Sequence, residues 1–233
     1  MIVLFSKLLI AHLLGDFVLF RNKKLKEKGK SFWASKRMFI HSLIHFVLAW
    51  MALSTPGFWY FAIIIALSHY VGDIVVRTSL SRRPQFAFAT EQLFHLMLIV
   101  LLAGYVNDIS WTLVQIQFPW VGLTGLVAVT FPSAKFIEVF LAQWPPTKSA
   151  DKIRGLVNAG LWIGILERVL IYIFIVTGHW EGIGFLLAAK SVFRFGDLTN
   201  SKDISLTEYI MVGTLLSFCL AIVIGMIVIQ LVP

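Results

Sequence analysis

The sequence predicts an all-α, polytopic transmembrane helical bundle of about eight spans. Three observations predict it. Of 233 residues, 58% are hydrophobic and 14% are charged, where a soluble domain carries about 25% charged residues. Mean hydropathy is +0.84, and the apolar residues are spread along the chain rather than gathered into one anchor. They form runs of about 20 residues, the length a helix needs to cross a hydrocarbon core. Lipid offers the backbone no hydrogen-bond partner, so helices are the default spanning element.

The runs lie near 2–20, 38–54, 58–76, 88–106, 118–143, 156–177, 182–196 and 208–231. The first lacks a basic leading region, and no small-residue cleavage site precedes the basic stretch after it. A retained span is therefore expected, not a removed signal. Pro56-Gly57, Asn107-Asp108, Pro145-Pro146 and Gly178 supply turn chemistry between runs. The 182–196 run is short for a full crossing. It is read as a span or a re-entrant segment, so seven spans remain an alternative to eight. The chain divides into two membrane halves, 1–106 and 107–233, the first carrying a His/Asp/Glu cluster and the second intramembrane Glu, Arg and Lys.

Charge orients the bundle. The loops 21–37, 77–87, 144–155 and 197–207 hold Arg21, Lys23, Lys24, Lys26, Lys28, Lys30, Lys36, Arg37, Arg77, Arg82, Arg83, Lys148, Lys152, Arg154 and Lys202. The alternate loops near 55–57, 107–117 and 178–181 hold no Lys or Arg. The basic loops are expected in the cytoplasm and both termini outside, in the cell's cytoplasmic membrane. The net charge of +8 is then read as orientation and contact with anionic membrane lipid, not nucleic-acid binding. One cysteine, Cys219, excludes an intrachain disulfide and a multi-cysteine metal site. It is expected to be a small buried side chain.

The first half carries a weak internal repeat. His12-x-x-x-Asp16 and His41-x-x-x-His45 are followed by His69-x-x-x-Asp73 and Glu91-x-x-x-His95. Four residues advance a helix by about 6 Å and return to nearly the same face. Each of four spans therefore presents a stacked polar pair. Counting from the span ends puts Asp16, His41, Asp73 and Glu91 at one depth near the cytoplasmic edge, and His12, His45, His69 and His95 about one turn deeper.

An Asp near a span centre costs about 2.5–3.5 kcal/mol on insertion scales, so these eight residues are expected to face one another. A divalent metal (zinc, iron or manganese, as one or two ions) would compensate the carboxylates and take neutral imidazole as ligand. A metal-free hydrogen-bond network that holds the helices in register is the alternative, and a proton relay a third. In the second half, Glu167, Arg168, Lys190, Arg194 and Glu208 interrupt apolar segments. They are read either as internally paired charges or as a pocket for a phosphate or lipid head group. Lys135 and Glu138 are a further candidate pair, and Lys7 is expected to snorkel.

These residues resemble an uncharacterised bacterial family of multi-span membrane proteins, domain of unknown function 3307. The resemblance begins at Ala11-His12-Leu13-Leu14-Gly15-Asp16-Phe17 and continues through His41, His45, His69, Asp73, Glu91-Gln92 and His95. Longer members are matched at Leu166-Glu167-Arg168, Ala189-Lys190-Ser191, Arg194-Phe195, Glu208-Tyr209 and Gly213-Thr214. Two positions depart from the pattern: Glu91, where Asp is commoner, and Phe20, where Gln is commoner. The resemblance implies a multi-span membrane protein and no activity.

Three functions compete on this reading. One is a metal-dependent membrane hydrolase of a lipid or lipid-linked phosphate, with Glu91 or Asp16 as base. The second is a metal-ion or proton-coupled transporter. The third is a structural or regulatory protein with a metal-free polar core. No serine-hydrolase elbow, phosphate-binding loop or dinucleotide fingerprint is present.

Overall fold

The computed structural model describes residues 2–20, 36–53, 56–80, 83–108, 119–144, 159–200 and 204–232, without the side chains of 56, 77, 107–108, 193–200 and 204–206. Most of the basic loops, Ser54-Thr55, Pro145-Pro146, and the side chains of Arg77 and Arg194 lie outside what is described.

Among the described residues the chain is helical and contains no strand. The helices are α1 (Ile2–Leu13), α2 (Lys36–Leu53), α3 (Trp59–Ser79), α4 (Pro84–Asp108), α5 (Trp120–Ala128), α6 (Phe131–Leu141), α7 (Ala159–Val176), α8 (Trp180–Asn200) and α9 (Ile204–Leu231). Among the described residues, six stretches are long and apolar enough to cross a membrane: Ile2–Leu19, Trp59–Val76, Pro84–Val106, Trp120–Leu141, Ala159–Val176 and Thr207–Leu231. α2 is more polar because it carries Lys36, Arg37, His41 and His45. α8 is one unbroken helix of 21 residues, about 30 Å long, so the segment that looked short in sequence is a continuous rod.

Two compact units divide the chain, Met1–Thr124 and Gly125–Pro233. In the first, α1 packs against α2 and α4, and α3 against α2 and α4, which closes a four-helix ring. Leu8, Ala49, Leu53, Phe61, Ala62, Ile65, Ile99 and Val106 form its apolar core. Relative to the histidines, all of these lie toward the end of the ring where α1 starts and α2 ends. Phe39, Leu67 and Leu93 point outward, each more than half exposed, as lipid-facing side chains should.

The run 118–143, read as one span, corresponds to the stretch Trp120–Leu141. It is two helices, broken at the Val129–Thr130 turn. Pro132 lies in the first turn of α6; it has no amide hydrogen and clashes with the preceding turn, which ends α5. Within the second unit α7 packs against α6, α8 and α9. Arg168 on α7 is 3% exposed. It donates from Nε to the Val129 carbonyl at 2.6 Å, from Nη2 to the Thr130 carbonyl at 3.2 Å and from Nη1 to Ser217 Oγ at 3.0 Å. The guanidinium thus caps a helix break for which lipid would supply no donor.

Cys219 is exposed on α9, not buried as expected. Its neighbours Ser217 and Phe218 occupy the inward face of that helix.

Candidate metal centre

The cluster is assembled by the four helices of the first unit. α1 brings His12, and at Leu14–Leu19 the same rod widens into a π-helical turn that carries Asp16. Such turns add a residue to the helical repeat and are frequent at functional sites. α2 supplies His41 and His45, α3 supplies His69 and Asp73, and α4 supplies Glu91 and His95. All are buried except Asp16, whose side chain is 13% exposed.

Asp16 is the hub. Its Oδ1 lies 3.0 Å from His45 Nε2 and 3.3 Å from His41 Nε2. Its Oδ2 accepts from Gln92 Nε2 at 3.0 Å and stands 3.8 Å from His12 Nε2. Gln92 was not singled out as a site residue, although it is a polar side chain inside an apolar span beside Glu91. Its orientation is informative. The carboxylate only accepts, so the Gln92 amide nitrogen must face Asp16, and Oε1 must then accept from His12 Nε2 at 3.1 Å. In a neutral His12 the Nδ1 is then the accepting nitrogen, and it faces His69 Nε2, 3.3 Å away.

The deeper histidines converge as the helical spacing predicts. His45 stacks on His69, and His69 packs against His95, both with ring centroids 3.7 Å apart. His12 lies 5.2 Å from His69 and 5.3 Å from His95. One ligand atom each from His12, Asp16, His45 and His69 falls within 4.8 Å of the other three, and the same holds for His69, Asp73 and His95. His41 links the carboxylates instead, 3.3 Å from Asp16 and 3.6 Å from Asp73. Glu91 is buried one turn from His95 but stands outside both ligand-spaced sets.

Four buried ring nitrogens have no hydrogen-bond partner among the described residues: Nδ1 of His41, His69 and His95, and Nε2 of His95. An unsatisfied buried polar atom costs about 1–3 kcal/mol. Each such atom calls for a bound ion or an ordered water as partner.

Gly15, inside the π turn, is required by contact. A Cβ there would overlap the His45 imidazole, with Nε2 at 2.7 Å and Nδ1 at 3.0 Å. His45 is 1% exposed and has no room to retreat. Gly15→Ala is expected to destabilise the protein by about 1–3 kcal/mol and to disturb the cluster. Gly104→Ala, where a Cβ meets nothing within 4 Å, should be neutral or slightly stabilising. Thermal unfolding of the two variants in detergent checks this.

The charged residues of the second half are placed differently from a simple phosphate pocket. Glu167, Arg168 and Lys190 line a cavity of about 640 Å³, together with Tyr209 and Ser217. Lys190 Nζ lies 2.5 Å from Glu167 Oε2, and Arg168 is engaged as described above. Glu208 is exposed and is not part of the lining; its neighbour Tyr209 is. The side chain of Arg194 is outside the description. Lys135 pairs with Glu138 at 2.6 Å. Lys7 lies 5.1 Å over the Trp120 ring, a cation–π contact in place of simple snorkelling.

A multi-span helical membrane protein with a buried histidine–carboxylate cluster is the class that this fold and site define. The chain belongs to the family described as protein of unknown function (DUF3307), whose family model matches residues 4–121, nearly the whole of the first unit. No curated protein and no solved structure matches it.

Proposed function

We propose that this protein is a membrane-embedded, metal-dependent hydrolase that acts on a lipid-borne phosphate ester from the cytoplasmic side. The observation that carries the reading is the set His12, Asp16, His45 and His69, whose four ligand-type atoms lie within 4.8 Å of one another in a closed bundle. Three imidazoles and one carboxylate are a donor set suited to zinc, iron or manganese. The basic loops orient this end of the bundle toward the cytoplasm.

One-sided access favours hydrolysis over transport. Beyond the histidine layer, the described side chains that fill the ring are mostly apolar, Leu8, Ala49, Leu53, Phe61, Ile65 and Ile99, with Ser6 buried on the same stretch of α1. On the other side Asp16 is the most exposed member of the cluster. Phe20 lies 4.4 Å from His41, and the Arg37 guanidinium sits 4.8 Å over Phe20. A cation at that mouth suits an anionic substrate. A bound ion would lower the pKa of its water. Glu91, outside both ligand-spaced sets, would take the water's proton. The resulting hydroxide would add to phosphorus, the ester P–O bond would break, and the leaving alkoxide would take up that proton.

The test uses the purified protein in vesicles containing phosphatidic acid as probe, loaded in turn with zinc, iron(II) and manganese. Phosphate release that a chelator stops, and that Glu91→Gln abolishes without loss of metal, is expected. A metal-loaded protein that releases no phosphate but carries the ion across the vesicle wall would replace this reading with a carrier.

A further inference from the structure

We infer that the bundle holds a second divalent ion, at His69, Asp73 and His95, beside the first and related to it by the internal repeat. The inference deepens the metal reading above and depends on it. His12 and Asp16 on α1 recur as His69 and Asp73 on α3, and His45 on α2 recurs as His95 on α4. Applied to three of the four members of the first ligand set, this correspondence turns His12, Asp16 and His45 into His69, Asp73 and His95; the fourth member, His69, is itself the counterpart of His12. Those three residues are the second set that the side-chain geometry brings within 4.8 Å. The pattern of the sequence and the positions of the atoms therefore select the same residues independently.

Each set then has two imidazoles and one carboxylate. That is the number of protein ligands catalytic zinc and non-haem iron sites use, and it leaves a position open for water or substrate. His69 lies within reach of both sets; with two ions present it serves its own repeat, and His12 faces it across the boundary at 3.3 Å.

The spacings fit shared coordination better than hydrogen bonding. His95 Nε2 lies 3.7 Å from Asp73 Oδ1, beyond the range of a hydrogen bond. Two atoms that each bind one tetrahedral ion at about 2.1 Å stand about 3.4 Å apart. His95 is 2% exposed, and neither of its nitrogens has a partner among the described residues; His69 Nδ1 also lacks one. An ion at this position would take one nitrogen of His95, a residue outside the first ligand set.

The two positions are not equivalent. His41, between Asp16 and Asp73, corresponds in the repeat to Glu91, so one copy contributes an imidazole where the other contributes a carboxyl. Two ions bring four positive charges against Asp16, Asp73 and Glu91. The excess favours an anionic substrate, as paired metal sites do in phosphate-ester chemistry.

Metal content decides the matter. The protein is purified in detergent, stripped with chelator and titrated with zinc, and bound zinc per chain is read by elemental analysis. Two ions per wild-type chain are expected. Asp73→Asn and His95→Ala should each leave one, and His45→Ala should also leave one. Asp73→Asn preserves shape, so it keeps the test open if His95→Ala does not fold. One ion per wild-type chain, unchanged by Asp73→Asn and lost with His45→Ala, would overturn the second site and leave the single-ion reading standing. A folded wild type that takes up no zinc would overturn both.

Discussion

Replacing His45 with alanine is expected to remove most of the stability that zinc at the first site confers. His45 is nearly inaccessible, contacts Asp16 at 3.0 Å and stacks on His69 at 3.7 Å. Loss of a direct ligand should weaken ion binding by at least the ~10–100-fold seen when a ligand's supporting partner is removed. An ion that binds only the folded state stabilises it by about 2.7 kcal/mol when its concentration is 100 times Kd. At that concentration a hundredfold weaker variant gains only about 0.4 kcal/mol from that ion. Without metal the two proteins should still differ by the cost of the cavity that the imidazole leaves beside His69, so the zinc-dependent part is the one compared. Unfolding followed in detergent with and without zinc reads this difference. An equal zinc increment in wild type and His45→Ala would remove His45 from the ligand set.

The second large effect lies in the other unit and does not involve metal. Arg168→Met should destabilise the protein by about 2–3 kcal/mol. Hydrogen bonds to a charged donor contribute about 1.5–3 kcal/mol each, and Arg168 makes three. Against this stands the cost of an Arg within a span, about 2.5–3.5 kcal/mol on insertion scales, which methionine relieves. The hydrogen bonds win because the α5–α6 break is fixed by Pro132 and keeps its carbonyls pointing inward. The Thr130 carbonyl still accepts from the Ala134 amide, so the loss falls chiefly on the Val129 carbonyl. Arg168→Lys should recover only part, since one ammonium cannot reach three acceptors that a planar guanidinium spans. Midpoints of denaturant unfolding in detergent measure both variants. A fully stable Arg168→Met would show that the break needs no cap.

Much of the architecture was legible because membrane spans are set by composition and length. The runs near 58–76 and 208–231 became α3 and α9 with their ends shifted by a few residues. The convergence of His12, His45, His69 and His95 was legible for a related reason. Residues four apart share a helix face, and ionisable groups cannot face lipid cheaply.

What escaped depends on contacts rather than on pattern. The π turn at Leu14–Leu19 has no signature in the sequence; Gly15 only permits the approach of His45. Gln92 was hidden because it lies beside Glu91 and outside the four-residue spacing, yet it is Gln92 that holds Asp16 and His12 together. The break at Val129–Thr130 did have a signal in Pro132, but the hydropathy of the run masked it. Arg168 looked available for a phosphate because the helix break that occupies it could not be seen in one dimension. Cys219 sits among apolar residues whichever way it faces, so composition could not distinguish core from lipid.

X-ray absorption at the metal edge of the purified, metal-loaded protein tests the central claim most directly. A shell of nitrogen and oxygen at about 2.0–2.2 Å with the outer scattering of imidazole rings is expected, and Asp16→Asn combined with His45→Ala should lower the bound metal by the ion of the first site. A folded protein that retains no zinc, iron or manganese, or one whose ion shows no imidazole scattering, would contradict it.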